Sequence, residues 1–144
     1  MCKMTPIMRR GFWICAICFC LVLPQAFADF IDLEVESIQI QPPRARTEDS
    51  LTVVAVIRNN GSQSAESFDI SLSVRQKGHL VRSILKIPVL STLPRMGSGK
   101  SVPVEIGKLA EGDYEVLITA DPEKKLKESN ETNNTKSKNF HVFA

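Results

Sequence analysis

Between Phe68 and Arg75 the chain reads FDISLSVR, with Phe68, Ile70, Leu72 and Val74 on one parity and Asp69, Ser71, Ser73 and Arg75 on the other. Successive side chains of a strand point to opposite faces, so this spelling gives one apolar face and one polar face. A helix of the same residues would scatter the four apolar side chains around its circumference. The pattern recurs. Tyr114, Val116, Ile118 and Ala120 share a parity, as do Val102, Val104 and Ile106. Long helix-period stretches are absent, and the chain is restricted to sheet.

Four further segments complete the set. Asp32–Ile40 alternates Leu33, Val35 and Ser37 against Asp32, Glu34 and Glu36, then changes phase near Ile38 and Ile40, which implies a bulge or an edge position. Leu51–Ile57 is apolar on both parities and suits a central strand with one side in the core and the other half covered. Arg58-Asn59-Asn60-Gly61 follows as an Asn-Gly turn signal. Leu80–Ile87 reads as a more irregular strand after a turn at Gln76-Lys77-Gly78, and Lys136–Phe143 as the last strand. Pro88–Gly99 carries mixed turn signals and reads as a crossing between sheets, while Pro103 must face a side where no ladder N–H is needed. Seven short strands predict an all-β, immunoglobulin-like or fibronectin-III-like antiparallel sandwich. Phe68, Ile70, Leu72, Tyr114, Val116 and Ile118 are expected on two inner faces that bury one another.

The first thirty residues obey different rules. Lys3, Arg9 and Arg10 precede the apolar run Phe12–Leu23, Pro24 breaks it, and Ala26 and Ala28 flank a cut within QAFA|DF. These are the parts of a secretory signal peptide over residues 1–28. The run is too short to span a bilayer, which takes roughly 20 apolar residues. Ile14, Ile17 and Phe19 precede Cys15, Cys18 and Cys20, where a lipoprotein site would want a small residue. Residues 29–144 then form one domain destined for the periplasm or the exterior. Removing Lys3, Arg9 and Arg10 leaves 15 basic against 16 acidic side chains, so no global charge favours nucleic acid or an anionic membrane. All four cysteines lie in the leader. A hydrophobic core must therefore hold the domain without a disulfide.

The densest polar run is Asp121–Thr135, DPEKKLKESNETNNT. Asp121-Pro122-Glu123 reads as the cap and first residues of a helix, but Leu126 is its sole apolar residue before Ser129, which limits it to one turn. Asp121, Asn130 and Asn133 have short side chains suited to bonding nearby backbone, so the run is expected to fix a long hairpin into the last strand. Calcium is the alternative: Asp121, Glu128, Asn130, Glu131 and Asn133 supply hard oxygen ligands within one segment. Lys124, Lys125 and Lys127 lie among them and oppose a bound cation, and the spacing is not that of an EF-hand.

DLEVESI, RNNG with the following SAESFDISLSV, KLAEGDYEVLITAD and ADPEKKLKESNETNN together resemble the CARDB family, a cell-adhesion-related domain of bacterial and archaeal exported proteins. The resemblance runs over about residues 31–143. Asp32-Leu33 matches the opening of the family's first strand, Asn59 and Gly61 its N-x-G turn, and Gly112-Asp113-Tyr114 the glycine-led entry to its sixth strand. Asp121, Glu128, Asn130, Glu131, Asn133 and Asn134 match its closing D-x(6)-E-x-[ND]-E-x-N-N signature. The resemblance implies an immunoglobulin-like sandwich and structural turn roles for Asn59, Gly61, Gly112, Asp121, Asn133 and Asn134. Such domains often occur in tandem within large surface proteins, whereas here one stands behind the leader.

Catalysis finds no foothold in the sequence. His79 and His141 sit in separate strands, no thiol remains after the leader, and no G-x-S-x-G elbow, zinc spacing or phosphate loop is present. The sequons at Asn60, Asn130 and Asn133 are expected to be bare, because the leader looks bacterial. The expectation is a cofactor-free, non-catalytic module that binds another exported or cell-surface protein or a surface polysaccharide. An accessory subunit of an exported complex, or a calcium-binding sandwich, is the alternative.

Overall fold

A computed structural model describes residues 29–97 and 99–144; the leader read in residues 1–28 lies outside the described residues. Seven strands follow one another: β1 (Leu33–Gln41), β2 (Leu51–Asn59), β3 (Phe68–Gln76), β4 (His79–Val89), β5 (Lys100–Gly107), β6 (Gly112–Ala120) and β7 (Thr135–Val142). They form a three-stranded sheet ordered β1-β2-β5 and a four-stranded sheet ordered β4-β3-β6-β7. Every neighbouring pair is antiparallel. The expected seven-stranded immunoglobulin-like sandwich is the fold of this chain.

Alternation becomes burial with few exceptions. Leu51, Val53, Ala55 and Ile57 of β2, Ile70 and Val74 of β3, and Val116, Ile118 and Ala120 of β6 are wholly inaccessible. The six expected inner-face residues all belong to the core, but β3 and β6 are neighbours in one sheet, so the residues share a single inner face instead of burying one another. Leu33 and Val35 are buried, Glu36 is the extra residue where the register jumps between Val35 and Ser37, and Ile38 and Ile40 are buried beyond it. The phase change is thus a bulge, and β1 is also an edge. Pro103 is exposed on β5, an edge strand, where its missing N–H takes nothing from a central ladder.

The turns show where local spelling and topology diverge. Lys77 and Gly78 join β3 to β4 with φ of 48° and 79°, the two positive values a type I′ hairpin turn demands. Asn60-Gly61 is not a hairpin turn. It leads from β2 to β3, which lie in opposite sheets. Strand β4 outruns the expected Leu80–Ile87 at both ends, since His79 pairs with Gln76 and Val89 with Phe68. Asp121 is not a helix cap either: its φ is +42°, whereas a capping residue has extended backbone. The Lys124 N–H donates to Asp121 O at 2.9 Å and closes a single turn, and no helix forms among the described residues.

Candidate functional site

Two regions concentrate polar groups or exposed apolar ones: the loop between β6 and β7 with the strand start it covers, and the outer edges of the sheets. The loop folds back over the beginning of β1. The Glu128 carboxylate accepts from Leu33 N–H at 2.6 Å and from Asn134 Nδ2 at 2.6 Å. Asn133 Nδ2 donates to Asp32 Oδ1 at 2.9 Å, Ser129 N–H to Ile31 O at 2.9 Å, and Val35 N–H to Asn133 O at 3.3 Å. Asp121 is buried, accepts the Leu126 N–H at 2.7 Å and donates its own N–H to Asp69 O at 2.9 Å. One loop therefore ties the first strand, in the three-stranded sheet, to the four-stranded sheet.

The electrostatics of Glu128 oppose its hydrogen bonds. Both bonds favour the ionised carboxylate, but burial, helped by the nearby Glu131 and Asp121, raises its pKa from 4.5 to about 7. Of the other calcium candidates, Asp121 accepts from Leu126 N–H, and Asn133 Oδ1 is buried without a hydrogen-bond partner. Asn130 Oδ1 accepts from Thr132 N–H and Oγ1, and Glu131 faces Lys124 at 3.5 Å. No group of three or more His, Cys, Asp or Glu placed to hold a metal ion occurs among the described residues.

Asn59 lies at the opposite side of β1 and is wholly buried. Its Oδ1 accepts from Asp32 N–H at 3.2 Å and from Gly61 N–H at 3.0 Å, while Nδ2 donates to Gln63 O at 2.7 Å and Leu93 O at 3.3 Å. Sequence reading gave Asn59 a turn; its bonds to Asp32 and Leu93, 27 and 34 positions away, carried no local signal. A Cβ on Gly61 would lie 2.2 Å from Phe30 O, so glycine is required there by close approach of backbone to backbone. Tyr114 was expected in the core but not as a tether. Its Oη donates to Ala110 O at 3.0 Å, four residues upstream at the turn into β6, the arrangement known as a tyrosine corner. Gly112 has φ of 148° at that entry.

Four edges remain, and they are treated differently. β1 and β7 run beside each other on one side of the sandwich, where Lys136 Nζ donates to Glu36 O at 2.7 Å and Lys138 Nζ to Ile38 O at 3.0 Å. Ammonium groups thus occupy carbonyls that β1 would otherwise present to a foreign strand. On the other side β5 carries Pro103. β4 is the longest strand, 11 residues, and nearly all of it is exposed. Leu80, Val81 and Leu85, with Leu90 just beyond, are 61%, 46%, 74% and 82% exposed. His79 and His141 are surface residues of β4 and β7, and His141 Nδ1 lies 2.7 Å from Asp113 Oδ1. A cleft of about 500 Å³ opens between Arg75, Lys77, Asp113, Glu115 and Asn139. No helix among the described residues is long and apolar enough to cross a membrane.

The CARDB family model matches residues 30–138, three quarters of the chain. The chain belongs to the CARDB family. Solved structures agree on its fold. The crystal structure of the CARDB domain of the PF1109 protein from Pyrococcus furiosus, in complex with di-metal ions, superposes with a TM-score of 0.61 at 22% identity, covering 79% of this chain and 94% of that one. A solution structure of the same domain gives 0.55 at 21% identity, covering 80% and 97%. A domain of a putative cell surface protein from Methanosarcina acetivorans gives 0.57 at 26% identity, covering 79% and 93%. No curated protein matches the chain. CARDB is a non-catalytic, adhesion-related module, and the resemblance carried by the closing signature is therefore real kinship.

Proposed function

We propose that this CARDB domain is an exported binding module whose partner is another exported or cell-surface protein, engaged along the outer edge of β4. One observation carries the reading: the domain shields the β1–β7 side with two lysines and leaves its longest edge strand open and studded with apolar side chains. Exposed apolar side chains gathered in one region mark an interaction site. A surface polysaccharide is less well served, because such ligands stack on open aromatic faces: the Tyr114 ring is buried against Phe140 at 5.6 Å, and exposed Phe143 is already covered by Arg44 at 5.1 Å and His141 at 4.5 Å, which leaves Phe30. An accessory subunit held in an exported complex would use the same edge by adding a partner strand. The kinship with a cell surface protein supports placement outside the cytoplasm, in the periplasm or beyond.

Polar residues of the 121–134 loop act in this reading as architecture rather than as ligands for calcium. The bonds from Glu128 and Asn133 to β1 support it. Incubating the purified protein with washed cells of the producing organism tests the function. Retention that is abolished by protease-stripping the cells is the expected result. Retention that survives stripping, and is competed by isolated surface polysaccharide, would replace the protein partner with a polymer.

A further inference from the structure

The geometry points to an extended, acidic segment of the partner protein as the occupant of the β4 edge, joined by short strand addition over Arg82–Ile84. This rests on the binding role proposed above and names its chemistry. In an antiparallel ladder alternate residues direct both N–H and C=O to one neighbour, and the others direct theirs away. Among the described residues β4 has β3 as its sole neighbour, so half of its backbone groups face outward without a ladder. Bulges interrupt the pairing with β3, one at Val81 and one at Leu85-Lys86, and leave Arg82-Ser83-Ile84 as the regular run between them. Each bulge adds a residue that the opposing strand does not match. Exposed Leu80-Val81 and Leu85 stand at the two ends of this run. An incoming strand would find backbone groups in the middle and apolar side chains at either side.

Charge selects the occupant. β4 reads HLVRSILKIPV, with two cations and no carboxylate. Lys86 is already paired with Glu123 at 3.2 Å, but no described carboxylate lies within 4.0 Å of Arg75, Lys77 or Arg82. Arg75 is paired in register with Leu80, and Arg82 extends toward β5, its Nη1 lying 3.2 Å from where a Cβ on Gly107 would be. Arg75 stands opposite Glu115 in the register of β3 with β6, and Lys77 lines the same cleft, so Arg82, on the run itself, is the unmatched cation of this edge. A second copy of β4 brings only more cations to this edge, and like charges placed opposite one another across strands are unfavourable. Acidic residues alternating with β-branched ones fit both the charge and the pleat.

Titrating the isotope-labelled full chain with a synthetic ten-residue peptide of alternating Val and Glu tests this directly by amide shifts. Perturbations confined to residues 79–90 are expected. Arg82→Glu should weaken binding about threefold or more, as reversal of a cross-strand charge pair implies. The exposed Leu85→Asp should also weaken it without unfolding the protein. A Val/Lys peptide should bind more weakly, and a Val/Glu peptide with a central proline should not bind. Equal affinity for the Lys peptide, perturbations elsewhere, dimerisation through β4, or no perturbation at millimolar peptide would each overturn the inference. Of these, protease-sensitive retention on cells together with shifts outside β4 would leave the binding role intact and reject only this edge.

Discussion

Asn59 makes four hydrogen bonds from a wholly buried position, and its removal would leave two N–H groups and two carbonyls without that partner. Asn59→Ala should cost about 2 to 4 kcal/mol in urea unfolding, because unpaired buried groups lose their full desolvation penalty. Asn60→Ala, which forfeits one bond to Glu34 from a half-exposed site, should cost less than about 1 kcal/mol. Glu128 gives a pH signature instead. Its carboxyl titrates near 7 in the folded state and at 4.5 when unperturbed, so between those values the folded state holds the extra proton. Stability from this group is complete below pH 4.5 and is lost as pH rises through 7. Glu128→Gln, which cannot titrate, should flatten the decline between pH 5 and 8. An unchanged slope would show that burial does not hold this proton.

Among the strands, β3 and β6 lie side by side in the four-stranded sheet and share its inner face, which packs toward the three-stranded sheet. Phe68→Ala should cost about 3 to 5 kcal/mol and Asp69→Ala much less, measured by denaturant unfolding. Tyr114→Phe keeps the ring and removes one hydrogen bond, for a loss of about 1 kcal/mol. Equal losses at positions 68 and 69 would mean that the faces are misassigned. Such faces were legible because period-two spacing is local, and so were the bulge in β1, the edge placement of Pro103 and the Lys77-Gly78 turn. What joins strand to strand was not. Nothing near Glu128 announces that its carboxylate accepts from Leu33, 95 positions earlier. The cap reading of Asp121 failed for a related reason: propensity in Asp-Pro-Glu favours a helix start, but the bond from Asp121 N–H to Asp69 O holds the backbone in another conformation. Asn59 was recognised as a turn residue, yet its burial depends on Leu93, which only the crossing from β4 to β5 brings near.

For the molecule as a whole, the loop between β6 and β7 holds the residues read from the sequence as calcium candidates. The carboxylates of Asp121, Glu128 and Glu131 are engaged with backbone, Asn134 and Lys124, and Lys125 pairs with Glu123 at 2.7 Å, although Asn133 Oδ1 and Asn134 Oδ1 are buried without a partner. Millimolar calcium should therefore leave the melting temperature unchanged relative to chelator. A ligand that binds only the folded state raises stability with its concentration, so a rise of several degrees, lost in Glu131→Gln, would replace the architectural role with metal binding. The fold itself was readable from strand count and signature, but the division into three and four strands emerged only with the pairing.

The union of β1 with the loop before β7 also dictates a timetable. A growing chain delivers β1 first, yet the groups that complete it arrive last: Glu128 after 95 positions, and Lys136 and Lys138 after 100. Such separations must be closed against chain entropy before any contact rewards them, and sandwiches built this way fold in roughly milliseconds to seconds. Until Lys138 has emerged, β1 presents bare carbonyls to any neighbouring chain. A polypeptide with this wiring stays unfinished until its last strand has been made.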